Sequence, residues 1–156
     1  MRLAVILSNP PLTSGTRTLN RVDLARRVLS CDAVSIANIF PLATHRTGAV
    51  AAVGIERDTW LGARASISAS LDGASKVLLA YGVQEPSGMA RLHFREQVLW
   101  LSEEIQGRGL TAVQFGNRPL HPSRWQRFTH RTYPELDFPK AVHKVLVGVN
   151  KGGQLG

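Results

Sequence analysis

The chain of 156 residues holds a single cysteine, Cys31. One thiol excludes a disulfide framework and any all-cysteine metal or iron–sulfur site. It suits a reducing compartment, and a cytoplasmic location is the expectation. No run approaches the roughly 20 apolar residues that span a bilayer. No basic amphipathic helix pairs with an exposed apolar face, so no membrane surface is expected as a partner. The opening Met1–Leu7 is too short for a signal peptide and reads as a buried strand. Walker and dinucleotide glycine fingerprints are absent. His45, His93, His130 and His143 lack metal-ligand spacing, and no hydrolase triad is visible, so neither metal nor cofactor is expected. Cys31 falls at a helix–strand junction, where a structural role fits it. Repeats and long linkers are missing too.

What remains is substantial. Apolar residues make up 44% of the chain, enough for a packed core at this length without staples. One domain is expected over residues 1–150, with 151–156 as a frayed, disordered tail. The formal net charge is +8 and the pI is near 10.8. A folded domain this basic attracts polyanions, nucleic acid first among them; a generally basic surface kept for solubility is the plainer reading.

Four short runs are apolar almost throughout: Leu3–Leu7, Ala33–Ile39, Lys76–Tyr81 and Leu110–Phe115. Unbroken rather than alternating apolarity marks parallel strands covered on both faces. Helical spacing lies between them, over Leu19–Leu29, Thr59–Leu71, Arg91–Ile105 and Phe138–Val147. The first helix reads as basic on one face, through Arg21, Arg26 and Arg27. The second opens after Asp58, a suitable N-cap. The third directs Leu92, Val98, Leu99 and Ile105 toward a core. The order predicts right-handed crossovers and an α/β fold, a three-layer α/β/α sandwich around a short four-stranded parallel sheet.

Polar residues gather at the expected strand ends: Ser8-Asn9-Pro10-Pro11, Asn38-Ile39-Phe40-Pro41, Tyr81-Gly82 and Gly116-Asn117, with His121-Pro122-Ser123-Arg124-Trp125 beyond. Open parallel sheets bind ligands beyond the carboxyl ends of their strands. Two asparagines and a histidine are therefore expected on one rim. Plainer roles stay open. Asn9 suits a turn before its prolines, Asn38 suits loop-backbone bonding, and His121 suits an ordinary surface. Ser123 suits the N-cap of a short helix holding Trp125 and Phe128. Arg118–Arg131 interleaves four arginines with those aromatics, which suits phosphate contact plus stacking.

Leu7-Ser8-Asn9-Pro10, Asn38-Ile39-Phe40, Ala80-Tyr81-Gly82 and His121-Pro122-Ser123, in this order, resemble the uracil-DNA glycosylase superfamily. They are closer still to a family of small bacterial and phage domains of unknown function, with Asn-Pro, Asn-Leu-Phe, Trp-Gly and His-Pro motifs. The resemblance runs from about residue 2 to about residue 128. It implies that Asn9 positions an attacking water and that Asn38 pairs with a base flipped out of double-stranded DNA. It implies that His121 stabilises the departing base, and that the Ser123–Trp125 loop pushes into the minor groove. Phe40, Tyr81 and Pro11 would complete the base site; Arg118, Arg124 and Arg127 would join Ser123 and Trp125 on the DNA.

The chemistry suits these residue types. A stacked base is unreachable until it is extruded. Breaking its N-glycosidic bond leaves an oxocarbenium-like sugar and an anionic base, and a donor aimed at such an anion is worth about 3–4 kcal/mol in comparable sites. The Asn38 amide offers a donor and an acceptor side by side. Two departures matter. Pro11 and then Leu12 stand where uracil-strict members carry a bulky aromatic, which implies a pocket open to 5-substituted pyrimidines. Tyr81 replaces the smaller family's tryptophan. Asn9 activates water more weakly than Asp, so Glu56 or Asp58 is a candidate general base; Asp58 serves equally as a helix cap.

Three readings follow. The first is a monofunctional DNA glycosylase for a modified or damaged pyrimidine, one version being defence against phages that decorate their bases. The second is a non-catalytic nucleic-acid or modified-base binder. The third is an N-glycosidase acting on free nucleotides.

Overall fold

The computed structural model describes residues 1–44 and 49–149. The expected tail at 151–156 and His45 lie outside the described residues. Four strands form one parallel sheet: β1 Arg2–Leu7, β2 Ala33–Asn38, β3 Lys76–Leu79 and β4 Thr111–Gln114, in the order β2-β1-β3-β4. The architecture is α/β, a three-layer sandwich. Among the described residues seven α-helices accompany the sheet: α1 Thr16–Val28, α2 Val50–Val53, α3 Arg57–Leu61, α4 Arg64–Leu71, α5 Met89–Gly107, α6 Trp125–Thr132 and α7 Phe138–His143.

Alternation along β1 explains the two flanking layers. Leu3, Val5 and Leu7 face one side and pack with Val22 and Ala25 of α1, Trp125 of α6 and Val142 of α7. Ala4 and Ile6 face the other and pack with Ile67 and Leu71 of α4 and with Phe94, Leu101 and Ile105 of α5. Because β1 is central and buried on both faces, it reads as one apolar run. Each Leu, Ile, Val or Phe among them removed from water stabilises the fold by roughly 1.5–3 kcal/mol.

Several local expectations are corrected. The strand β2 lies at the sheet edge and is only partly covered: Ala33 and Ile36 are exposed. On one face Ser35 Oγ donates to the Ser70 carbonyl of α4 at 3.0 Å. On the other, Val34 packs against the α1 layer while Ile36 is left open beside a cavity. The helix expected over Thr59–Leu71 is two, α3 and α4, parted at Gly62, a poor helix former. Asp58 does not cap it. Glu56 occupies the N-cap position of α3 without a side-chain bond, and Asp58 sits in the first turn.

The face of α5 is rotated from the expected one. Leu92 and Leu99 are 57% and 61% exposed, while Ala90, Phe94, Gln97, Leu101 and Ile105 are buried. Gln97 explains the rotation. Its Nε2 donates to the carbonyls of Ile39 at 3.0 Å and Trp60 at 2.7 Å, and its Oε1 accepts from Arg64. A buried amide with its partners supplied can replace an apolar residue on a packing face. The basic face read for α1 is broken as well: Arg21 turns inward and is 8% exposed. After α7, which Asp137 caps by accepting from the Lys140 amide at 2.9 Å, the chain winds as a π-helix over Lys144–Val149.

Candidate functional site

The carboxyl ends of β1 and β3 are neighbours at the point where the strand order reverses, the ordinary place for a ligand crevice in such sheets. Two cavities of ligand size open there. The smaller, about 350 Å³, is lined by Asn9, Pro11, Thr18, Asn38, Thr44 and His121 among others. The larger, about 740 Å³, includes Ser8, Tyr81, Gln84, Phe128 and four arginines on its walls. His121 borders both. Both volumes fall within the usual range for small-ligand sites.

The smaller cavity has a polar floor. Asn9, just past β1, donates through Nδ2 to the Leu42 carbonyl at 3.1 Å and to Thr44 Oγ1 at 2.8 Å. Those two bonds fix the amide and leave its Oδ1 as the remaining acceptor. Asn38 ends β2, paired in register with Leu7. Among the described residues its Oδ1 is buried with no hydrogen-bond partner. A buried orphan acceptor costs roughly 1–3 kcal/mol, and a ligand donor would recover it. Pro11, Leu19 and Ile36 form exposed apolar walls at the mouth. The chain turns there through Gly15, at φ +66°; a Cβ at that position would lie 3.0 Å from the Pro11 ring. Both constraints favour glycine.

His121 is held by its own loop. Its Nδ1 accepts from the Ser123 backbone N–H at 3.1 Å and lies 2.9 Å from Ser123 Oγ. His121 therefore caps the short 3₁₀ turn Pro122–Arg124, the place expected for Ser123. Accepting at Nδ1 places the proton of the neutral ring on Nε2. Burial first, then the charges of Arg21 and Arg124, hold this imidazole below its ordinary range, so it is neutral at pH 7.

Three bonds fasten the loop from beneath. Arg21 Nη1 donates to the Pro122 carbonyl at 2.6 Å. Trp125 Nε1 donates to the Leu120 carbonyl at 2.8 Å. The Gly82 amide donates to the Pro119 carbonyl at 2.7 Å. The approach of the loop is set by a tight turn in which Gly116 and Asn117 both have positive φ. A Cβ on Gly116 would meet the Phe128 ring at 2.9 Å.

The expected site residues therefore divide. Asn9, Asn38, Pro11 and His121 share one cavity. Tyr81, Ser123, Arg118, Arg124 and Arg127 line the other. Phe40 and Trp125 line neither of these two cavities; Phe40 lines a third, of about 10 Å³, with Ser8 and Tyr81. Phe40 packs on Trp60 at 4.6 Å between ring centroids. Trp125 is fully buried, stacked on Phe115 at 4.5 Å and 7°. Its indole serves the core and the loop backbone and is not at the surface, where the sequence reading expected it. Glu56 and Asp58 are exposed at the start of α3 and line neither cavity. Neither therefore stands at the cavity that Asn9 and His121 share.

No family model, curated protein or solved structure matches this chain. The site is therefore judged on its own geometry. Among the described residues, no group of three or more His, Cys, Asp or Glu side chains is arranged to hold a metal ion, and no helix is long and apolar enough to cross a membrane.

Charge is segregated around the larger cavity. Arg26, Arg27, Arg57, Arg64, Arg91, Arg95 and Arg108 each pair with a carboxylate. Arg118, Arg124, Arg127 and Arg131 have no such pair among the described residues. The sequence shows why: it carries no Asp or Glu between Glu104 and Glu135. Glu85, next to Gln84, is held by Arg91 and Arg95 at 3.5 and 2.8 Å. Sequence reasoning overlooked Thr44 here and placed Arg21 on a basic outer face. Arg21 was detectable: it lies four residues before Ala25, on the apolar stripe of α1.

Proposed function

We propose that the protein is a monofunctional DNA glycosylase that hydrolyses the N-glycosidic bond of an extruded, 5-substituted pyrimidine. The observation that carries this reading is the meeting of Asn9, Asn38 and a neutral His121 at one cavity beside an unpaired arginine groove. In the proposed reaction the Asn9 Oδ1 accepts a hydrogen bond from a water that adds to C1′. The C1′–N1 bond breaks and its electron pair leaves with the base. Nε2–H of His121 donates a hydrogen bond to the anion so formed, and the proton released by the added water passes through solvent to the departing base, which leaves neutral. Asn38 Oδ1 accepts from the pyrimidine edge, which supplies its missing partner. A substituent at C5 lies against Pro11, Leu19 and Ile36, walls that open to solvent. Among the described residues lining the two cavities none is a lysine, which favours simple hydrolysis over strand cleavage through an amine adduct.

One observation favours a second reading, a non-catalytic binder of modified bases. No carboxylate lines either cavity among the described residues, so water is oriented without a base of ordinary strength. The test is incubation with DNAs carrying different modified pyrimidines, followed by alkaline cleavage at abasic sites. Cleavage that disappears in Asn9→Ala and His121→Ala, both folded, supports the glycosylase. Binding without abasic sites on any of the DNAs supports the binder.

A further inference from the structure

The arginines of the larger cavity form a row. Arg124, Arg127 and Arg131 are spaced three and four residues apart, so they share one face of α6 and its leading turn. At about 1.5 Å per residue the row covers about 10 Å, enough to meet successive phosphates of one strand. Arg118, on the turn after β4, lines the same cavity. All four are exposed, and all line the groove. The stretch after β3 that also lines the groove, Gly82, Val83 and Gln84, carries no charge. Phe128 sits within the row with its ring partly open to the groove, where a base can stack.

Extrusion from a duplex costs a few kcal/mol, and DNA-bending proteins commonly offset it with an apolar wedge. This loop has none. Trp125 is committed to the core, and the exposed side chains of the turn are Ser123 and Arg124. We infer that the groove along α6 binds the backbone of a single DNA strand, and that unpaired rather than duplex DNA is the preferred partner. The choice of DNA rests on the glycosylase reading; the row of unpaired arginines does not.

The test is fluorescence anisotropy of the full chain with a labelled oligothymidylate, alone and annealed to its complement. The single strand binds at least about tenfold more tightly, the penalty of opening a pair being more than the 1.4 kcal/mol that makes a factor of ten. Its log affinity falls with log salt at a slope near −3 for four contacts, about 0.7 for each. Arg127→Glu with Arg131→Glu weakens binding at least about tenfold, and Arg127→Gln with Arg131→Gln flattens the slope by two contacts. Arg57→Gln, on an arginine paired with Glu96, changes neither. Equal or tighter binding of the duplex overturns the inference, as do tighter binding of the matching ribo-oligomer, competition by thymidine monophosphate at equal phosphate concentration, or indifference to both α6 double variants. Base excision is not read in this assay. A chain that excises nothing yet prefers the single strand sinks the glycosylase and spares the groove.

Discussion

Arg21 Nη1 donates to the carbonyl of Pro122 at 2.6 Å, which couples a buried guanidinium on α1 to the turn that carries His121. The same guanidinium donates to Gln126 Oε1 at 3.0 Å and lies 5.6 Å from the centre of the Phe138 ring. Burial, then Arg17, pulls the Arg21 pKa below its ordinary value. Positive charge is thus stored under the loop and acts on the imidazole above it.

Arg21→Gln is expected to destabilise the protein by about 1–3 kcal/mol, because the Pro122 carbonyl loses a charged donor. It also raises the pKa of His121 by removing one of the charges that lower it. The sign follows from the folded value lying below the unfolded one. The native state binds fewer protons at this site, so stability is full above the ordinary histidine range and declines as pH falls through it to the folded pKa. The variant shows a shallower decline. Proton NMR titration of the His121 ring checks the shift, and an unchanged midpoint refutes the coupling.

Trp125→Ala should cost roughly 3–5 kcal/mol, the usual loss for a large buried aromatic. Trp125→Phe keeps the stack on Phe115 and loses the bond to Leu120, at about 1 kcal/mol. Chemical unfolding measures both. DNA affinity per folded molecule stays the same in Trp125→Phe; a large loss there would place the indole on the nucleic acid.

Asn38→Ala removes an acceptor that has no partner. Thermal melting is therefore expected to be unchanged or slightly higher, since replacing an unsatisfied polar group is nearly neutral or stabilising. Recognition of the modified base disappears in the same variant. A stability loss above about 2 kcal/mol would show that Asn38 is structural.

On α5, Leu92→Glu and Leu99→Glu should each change stability by less than about 0.5 kcal/mol, whereas Phe94→Ala should cost about 3–5 kcal/mol. Denaturant melts of the three variants read out which face of the helix is packed.

The contrast between those variants also shows where the chain's pattern was readable. The strands β1 and β3 are buried on both sides, so their apolar runs announced them. The apolar segment at β2 announced a strand but not its edge position, because order in a sheet depends on partners distant in sequence. The phase of α5 was hidden by Gln97, a polar residue whose burial depends on carbonyls of Ile39 and Trp60 that no local window contains. At the rim, the ends of β1 and β2 placed Asn9 and Asn38, and the loop after β4 placed His121 beside them. The split of the remaining residues between two cavities was not readable, since Trp125 and Phe40 are aromatic residues that can equally stack on a base or fill a core. Arg21 was misread for the converse reason: charge implied solvent, while its position on the α1 stripe placed it inside.

The bond from the Gly82 amide to the Pro119 carbonyl joins the end of β3 to the loop that delivers His121, while Asn9 and Asn38 come from β1 and β2. The mouth exists only when these remote stretches have assembled, and an unfolded chain has nothing to offer a ligand. Occupancy must therefore shift the melting point. At a concentration one hundred times its Kd a bound compound adds about 2.7 kcal/mol. A calorimeter and a shelf of modified nucleosides can then rank candidate bases before any reaction has been detected.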